Sequence, residues 1–82
     1  SESKNQDDLM IKDQINNDLH YLILKLPNDQ QEIVKLRYFE EYSFKKISKI
    51  TGVSINTALG RMRYALLNLR KMADKLHIDL KT

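Results

Sequence analysis

The sequence predicts an all-α fold of four helices. Three observations lead there: apolar residues recur at steps of three and four, runs that alternate β-branched with polar residues are nearly absent, and neither glycine belongs to a hairpin dipeptide. After a polar start, Ile15, Leu19, Leu22, Ile23 and Leu26 make one stripe, which predicts a first helix over about 8–25. Pro27 stops it, because proline disfavours helix in the residue before it and cannot continue a hydrogen-bond ladder, yet it suits a first turn. A second helix therefore starts at Pro27 or Asn28, with Asn28 and Gln31 spaced like a capping box. It runs to about Glu41. Ile33, Val34, Leu36, Tyr38 and Phe39 fall on more than one of its sides, which predicts a central helix with neighbours around much of its girth.

A third helix of about two turns begins after Ser43 as N-cap, holds Phe44, Ile47 and Ile50, and is closed by Thr51-Gly52. Ser54 caps the fourth. Its apolar residues Ala58, Met62, Ala65, Leu66, Leu69, Met72, Ala73 and Leu76 occupy a band roughly 120° wide at about 100° per residue. Asn56, Gly60, Arg63, Tyr64, Leu67 and Lys71 point the other way. One face of this helix is expected to pack and the other to meet a partner.

The chain has 82 residues, 41% hydrophobic and 30% charged, with no cysteine. At that size about 60% of the unfolded surface is buried on folding, enough for one core and no enclosed substrate chamber. No enzyme activity is expected. Without cysteine there is no disulfide or thiolate metal site, which suits a reducing, cytoplasmic setting. His20 and His77 are far apart and lack helical metal-ligand spacing, and the adjacent carboxylates Asp7-Asp8 and Glu40-Glu41 splay on a helix, so neither a metal site nor an acid/base pair is expected. No cofactor is implied. The longest apolar run, Tyr21-Leu22-Ile23-Leu24, is far short of the roughly 20 residues that span a bilayer. Residues 1–7 are expected to be a polar linker, and 8–82 one domain.

Charge is divided unevenly. Residues 1–41 hold five Lys/Arg against nine Asp/Glu, a net −4, whereas residues 42–82 hold nine against two, a net +7. From Tyr42 through Ala73 there is no carboxylate, while Lys45, Lys46, Lys49, Arg61, Arg63, Arg70 and Lys71 all fall inside that window. A solvated helix face normally mixes both signs, so an acid-free stretch of this length points to a polyanion. The order of elements sharpens this. Residues 43–64 read as short helix, tight turn and long helix, with small Ser48 at the crossing and Gly52 in the turn. That is helix-turn-helix logic, in which the first helix braces on the phosphate backbone and the second enters the major groove. An ordinary bundle hairpin shares the spacing but needs neither the lysines at 45, 46 and 49 nor the polar far face of the last helix.

The run from Leu26 to Arg70 resembles region 4 of sigma-70 family RNA polymerase sigma factors, closest to the extracytoplasmic-function type. Leu26-Pro27, Arg37-Tyr38-Phe39, Ser43-Phe44, Ile47, Gly52-Val53-Ser54, Thr57, Arg61, Ala65 and Leu69-Arg70 match that family's ordered pattern. The resemblance implies a four-helix helix-turn-helix domain, winged-helix-like in topology without the wing. It also implies recognition of the minus thirty-five promoter element, docking on the β flap of RNA polymerase and capture by an anti-sigma factor, with both protein partners using apolar surface that DNA does not. Region 2, which melts the downstream element in that family, has no counterpart here, so either a piece of a longer sigma factor or an unusual stand-alone copy is expected, the piece being favoured, with a monomer as the acting form. The family's base-facing positions fall on Leu59, Gly60, Arg63 and Tyr64. Leu59 and Gly60 stand where a basic residue and a serine are usual, and Tyr64 where arginine is frequent, so hydrogen-bond readout should be thin. Arg63 is then the candidate for a bidentate guanine contact, Leu59 for a thymine methyl and Gly60 for close backbone approach.

Lys45, Lys46, Asn56, Thr57 and Arg61 are expected on phosphates, with Lys49 and Lys71 as weaker candidates. Five such contacts predict a slope of log affinity against log salt near about −4.5. Gly60 admits a second explanation as a close-packing position, and Tyr64 as a half-buried core ring. Two alternative functions remain open at this point. One is the output domain of a response-regulator-type transcription factor; the other is a protein-docking module in which Ile55, Tyr64 and Leu67 bind a partner and DNA is not touched.

Overall fold

The computed structural model describes residues 17–77, and over them the fold is all-α. Helix α1 is described over 17–23; the expected linker, the expected first half of this helix and the last five residues lie outside the described part. α2 spans Asn28–Val34 and runs on as a π-helical turn, Lys35–Phe39. α3 is Phe44–Thr51 and α4 is Ile55–Lys75, about 31 Å long at 1.5 Å per residue.

α4 is the element on which both α2 and α3 pack. Its Ala58, Ala65, Leu69 and Ala73 form one wall of the core, against Leu22, Ile23 and Leu26 from the α1 end, Ile33 and Val34 of α2, and Ile47 of α3. Three alanines on that wall let neighbouring helices approach closely, and the larger side chains come from the facing elements. Leu22, Ile23 and Ile47 are the largest side chains fully out of water.

Four expectations are corrected by the structure. Asn28 is not an N-cap: Pro27 occupies that position with no side-chain cap bond, and Gln31 instead donates from Nε2 to the carbonyls of Leu24 (3.1 Å) and Leu26 (2.9 Å). It thereby closes the end of α1 rather than the start of α2. The second helix is not central over its whole length, because the π-helical turn inserts an extra residue and rotates the residues beyond it. Tyr38 and Phe39 are consequently exposed, with Phe39 stacked on His20 at 4.8 Å between centroids. The helix also stops at Phe39, where Glu40 donates to the Lys35 carbonyl and Glu41 takes a left-handed conformation at φ +58°. On α4, Leu66 and Leu76 belong to the expected packing stripe but are half exposed. Leu66 lies at the stripe's edge, and Leu76 comes just after the last helical residue.

Candidate nucleic-acid interface

The turn between α3 and α4 is closed by its own side chains. The Ser43 hydroxyl oxygen accepts from the Lys46 N–H at 3.1 Å and starts α3. Gly52 ends it at φ +77°, a left-handed position that frees the backbone to reverse, and its N–H donates to the Ser48 carbonyl. Ser48, half-buried at the crossing, donates its hydroxyl to the Val53 carbonyl. Ser54 then caps α4, accepting from the Thr57 N–H at 3.0 Å and donating to the Thr57 hydroxyl at 3.0 Å. Ile47 and Ala58, both fully buried, lock the two helices together from below. These contacts set the angle at which the N-terminal turns of α4 leave the domain.

α3 is oriented by a second set of contacts. Arg37 donates from Nη1 to the Tyr42 carbonyl at 3.0 Å, and its guanidinium lies 4.8 Å over the Phe44 ring. One cation thus ties the end of the α2 extension to the first turn of α3. The sequence matched Arg37 to a pattern and carried no signal for this structural role, because the chain leaves the helix between Phe39 and Phe44. Lys46 curls back so that Nζ sits 4.0 Å over the Tyr42 ring. Lys45 and Lys49, one turn apart and both exposed, share a face of α3. Lys49 is therefore as well placed as Lys45.

The front of α4 carries Asn56, Leu59, Arg63, Tyr64 and Leu67, all exposed, with Gly60 between them. Tyr64 is 64% exposed, which removes the half-buried core ring as its explanation. Around Gly60 an added Cβ would meet nothing within 4 Å, and its backbone is ordinary helix, so close packing does not explain that glycine. Thr57 is exposed, its N–H and hydroxyl engaged by the cap.

Arg61, expected on a phosphate, has a carboxylate neighbour within the domain. It points toward α2, with Nε 3.7 Å from Asp29 Oδ2, and fastens α4 to the first turn of that helix. Asn68 makes a parallel tie, donating to Gln30 Oε1 at 2.7 Å. Lys71 is displaced from the interface. It lines a cleft of about 330 Å³ with Lys25 and Lys75, about 24 Å along α4 from Ile55.

Residues 16–69 match the family model for sigma-70, region 4. The chain belongs to the sigma-70 region 4 family. It is similar to RNA polymerase sigma factor SigV of Bacillus subtilis (strain 168), at 36% identity over 58 residues that cover 71% of this chain and 35% of that protein. The chain thus spans about a third of the length of that curated relative. The family read from Leu26 to Arg70, region 4 of the extracytoplasmic-function type, is borne out. The four-helix helix-turn-helix architecture fits it.

Phe44, Leu59, Met62, Leu66 and Leu67 line an open apolar groove of about 360 Å³ beside Arg63 and Arg70. The groove includes Leu59 and Arg63, two of the residues expected to face the bases. Among the described residues no group of three His, Cys, Asp or Glu is placed to hold a metal ion, and no helix is long and apolar enough to cross a membrane.

Proposed function

We propose that this domain recognises the minus thirty-five promoter element, as the region 4 part of a longer sigma factor that directs RNA polymerase to its start sites. The N-terminal turns of α4 enter the major groove, the only groove wide enough for a helix. Leu59, Gly60, Arg63 and Tyr64 face the bases, and Lys45, Lys46, Lys49, Asn56 and Thr57 meet the phosphates. The observation that carries this reading is the pairing of an exposed α4 front with an acid-free helix-turn-helix, in a chain whose family is sigma-70 region 4. Backbone contacts would supply most of the affinity and Arg63 the strongest single discrimination, about 1–3 kcal/mol.

The domain acts in the cytoplasm as a monomeric DNA-binding module, without enzymatic activity. The groove beside Arg63 and Arg70 supports docking on the polymerase β flap or on an anti-sigma factor, because its apolar floor has no use in a phosphate contact. Its overlap with the base-facing residues means that a partner filling it there excludes DNA. The test is charge reversal. Lys45→Glu combined with Arg63→Glu should abolish duplex binding in an anisotropy titration while moving the thermal unfolding midpoint little, since both side chains are exposed. Undiminished binding would refute the interface.

A further inference from the structure

The exposed residues in the first turns of α4 pair few hydrogen-bonding groups with an unusual amount of apolar surface. Ile55 is 43% exposed and Leu59 45%, one turn apart along the same edge of the helix. Neither belongs to the core, whose α4 wall is Ala58, Ala65, Leu69 and Ala73. Next to Leu59 stands Gly60, in ordinary helical backbone with open space where a Cβ would be. A glycine inside a helix costs about 1 kcal/mol relative to alanine. No packing neighbour compensates for that here. The missing side chain makes sense as clearance for something outside the domain, which can then approach within reach of Leu59.

We infer that the domain reads its promoter element through thymine 5-methyl groups held against Ile55 and Leu59, with Gly60 giving the helix the depth that this contact needs. The inference rests on the promoter-binding reading above and specifies its chemistry. In the major groove the thymine methyl is the one base substituent that an aliphatic side chain can recognise, and it is absent from the other three bases. Leucine and isoleucine offer no hydrogen bond, so sequence preference along this edge must come from burying those methyls. Arg63 adds the polar contact.

The test uses the full 82-residue chain and a duplex recovered by selection from a random library, resynthesised with deoxyuridine in place of each thymine in turn. Deoxyuridine keeps the base pair and removes only the methyl. Loss of one buried methyl should weaken binding about fourfold at one or two positions. In the Ile55→Ala/Leu59→Ala double variant the thymine and deoxyuridine duplexes should bind alike, whereas Lys45→Glu should weaken both equally. Gly60→Ala should keep the fold and lower affinity for the thymine duplex at least tenfold. A selected duplex that binds equally well with every thymine replaced overturns methyl readout and leaves promoter binding standing. Selection that returns no preferred sequence overturns both.

Discussion

Gly52 and Gly60 lie eight residues apart and should respond oppositely to the same substitution. At Gly52 the backbone is left-handed, φ +77°, a region that costs an L-residue about 1–2 kcal/mol, so Gly52→Ala should lower the unfolding midpoint by several degrees. At Gly60 the backbone is helical with nothing within 4 Å of a new Cβ, so Gly60→Ala should stabilise the fold by about 1 kcal/mol. Circular-dichroism melts of the two variants check both signs, and a destabilised Gly60→Ala would restore the packing explanation for that glycine. Arg61 illustrates a residue whose charged neighbour comes from a distant part of the chain. Its type and its place in a basic stretch suggested phosphate; the carboxylate beside it is Asp29, on another helix 32 residues earlier, and only the fold brings the two to 3.7 Å. Both partners are partly solvated, so the pair contributes less than about 1 kcal/mol, and Arg61→Ala should barely move the melt.

At the scale of elements, α3 packs on α4, and Ile47 and Ala58 are the residues that each commits to the core there. Ile47 is completely buried, and Ile47→Ala should cost about 2–5 kcal/mol, a large share of the stability of a domain this small. Leu66, on the same apolar stripe in sequence terms, is 53% exposed, and Leu66→Ala should change stability by no more than about 0.5 kcal/mol. Chemical denaturation of the pair checks the contrast; equal losses would mean that Leu66 is covered in solution. The limits and caps of α3 and the start of α4 were legible from residue types, because Ser43, Gly52 and Ser54 act through their own local bonds, whereas the start and end of the second helix were not. The π-helical turn was not. It comes from no single residue and shifts Tyr38 and Phe39 outward by adding one residue to a turn, which a fixed period of 3.6 cannot anticipate.

For the molecule as a whole, salt dependence measures how many cations reach the duplex. With Arg61 engaged by Asp29 and Asn56 and Thr57 uncharged, three lysines of α3 remain for phosphate neutralisation, and the slope of log affinity against log salt should fall near about −2.7 rather than −4.5. A titration series across salt concentrations reads it directly, and a slope at the steeper value would put both Arg61 and Lys71 on the backbone. With so few contacts the isolated domain should bind duplex weakly, since counterion release grows with each contact.

The amino-acid sequence by itself determined the helical class, the helix-turn-helix over 43–64, the acid-free stretch and the front of α4. All of these depend on spacing within one segment or on composition, which the chain carries before it folds. The tertiary structure alone decided that Arg61 lies beside Asp29, that Gly60 has no packing neighbour, and that Phe44 joins Leu59, Leu66 and Leu67 in one groove. Those facts depend on distances between residues far apart in the chain, and such distances exist only once the helices have packed.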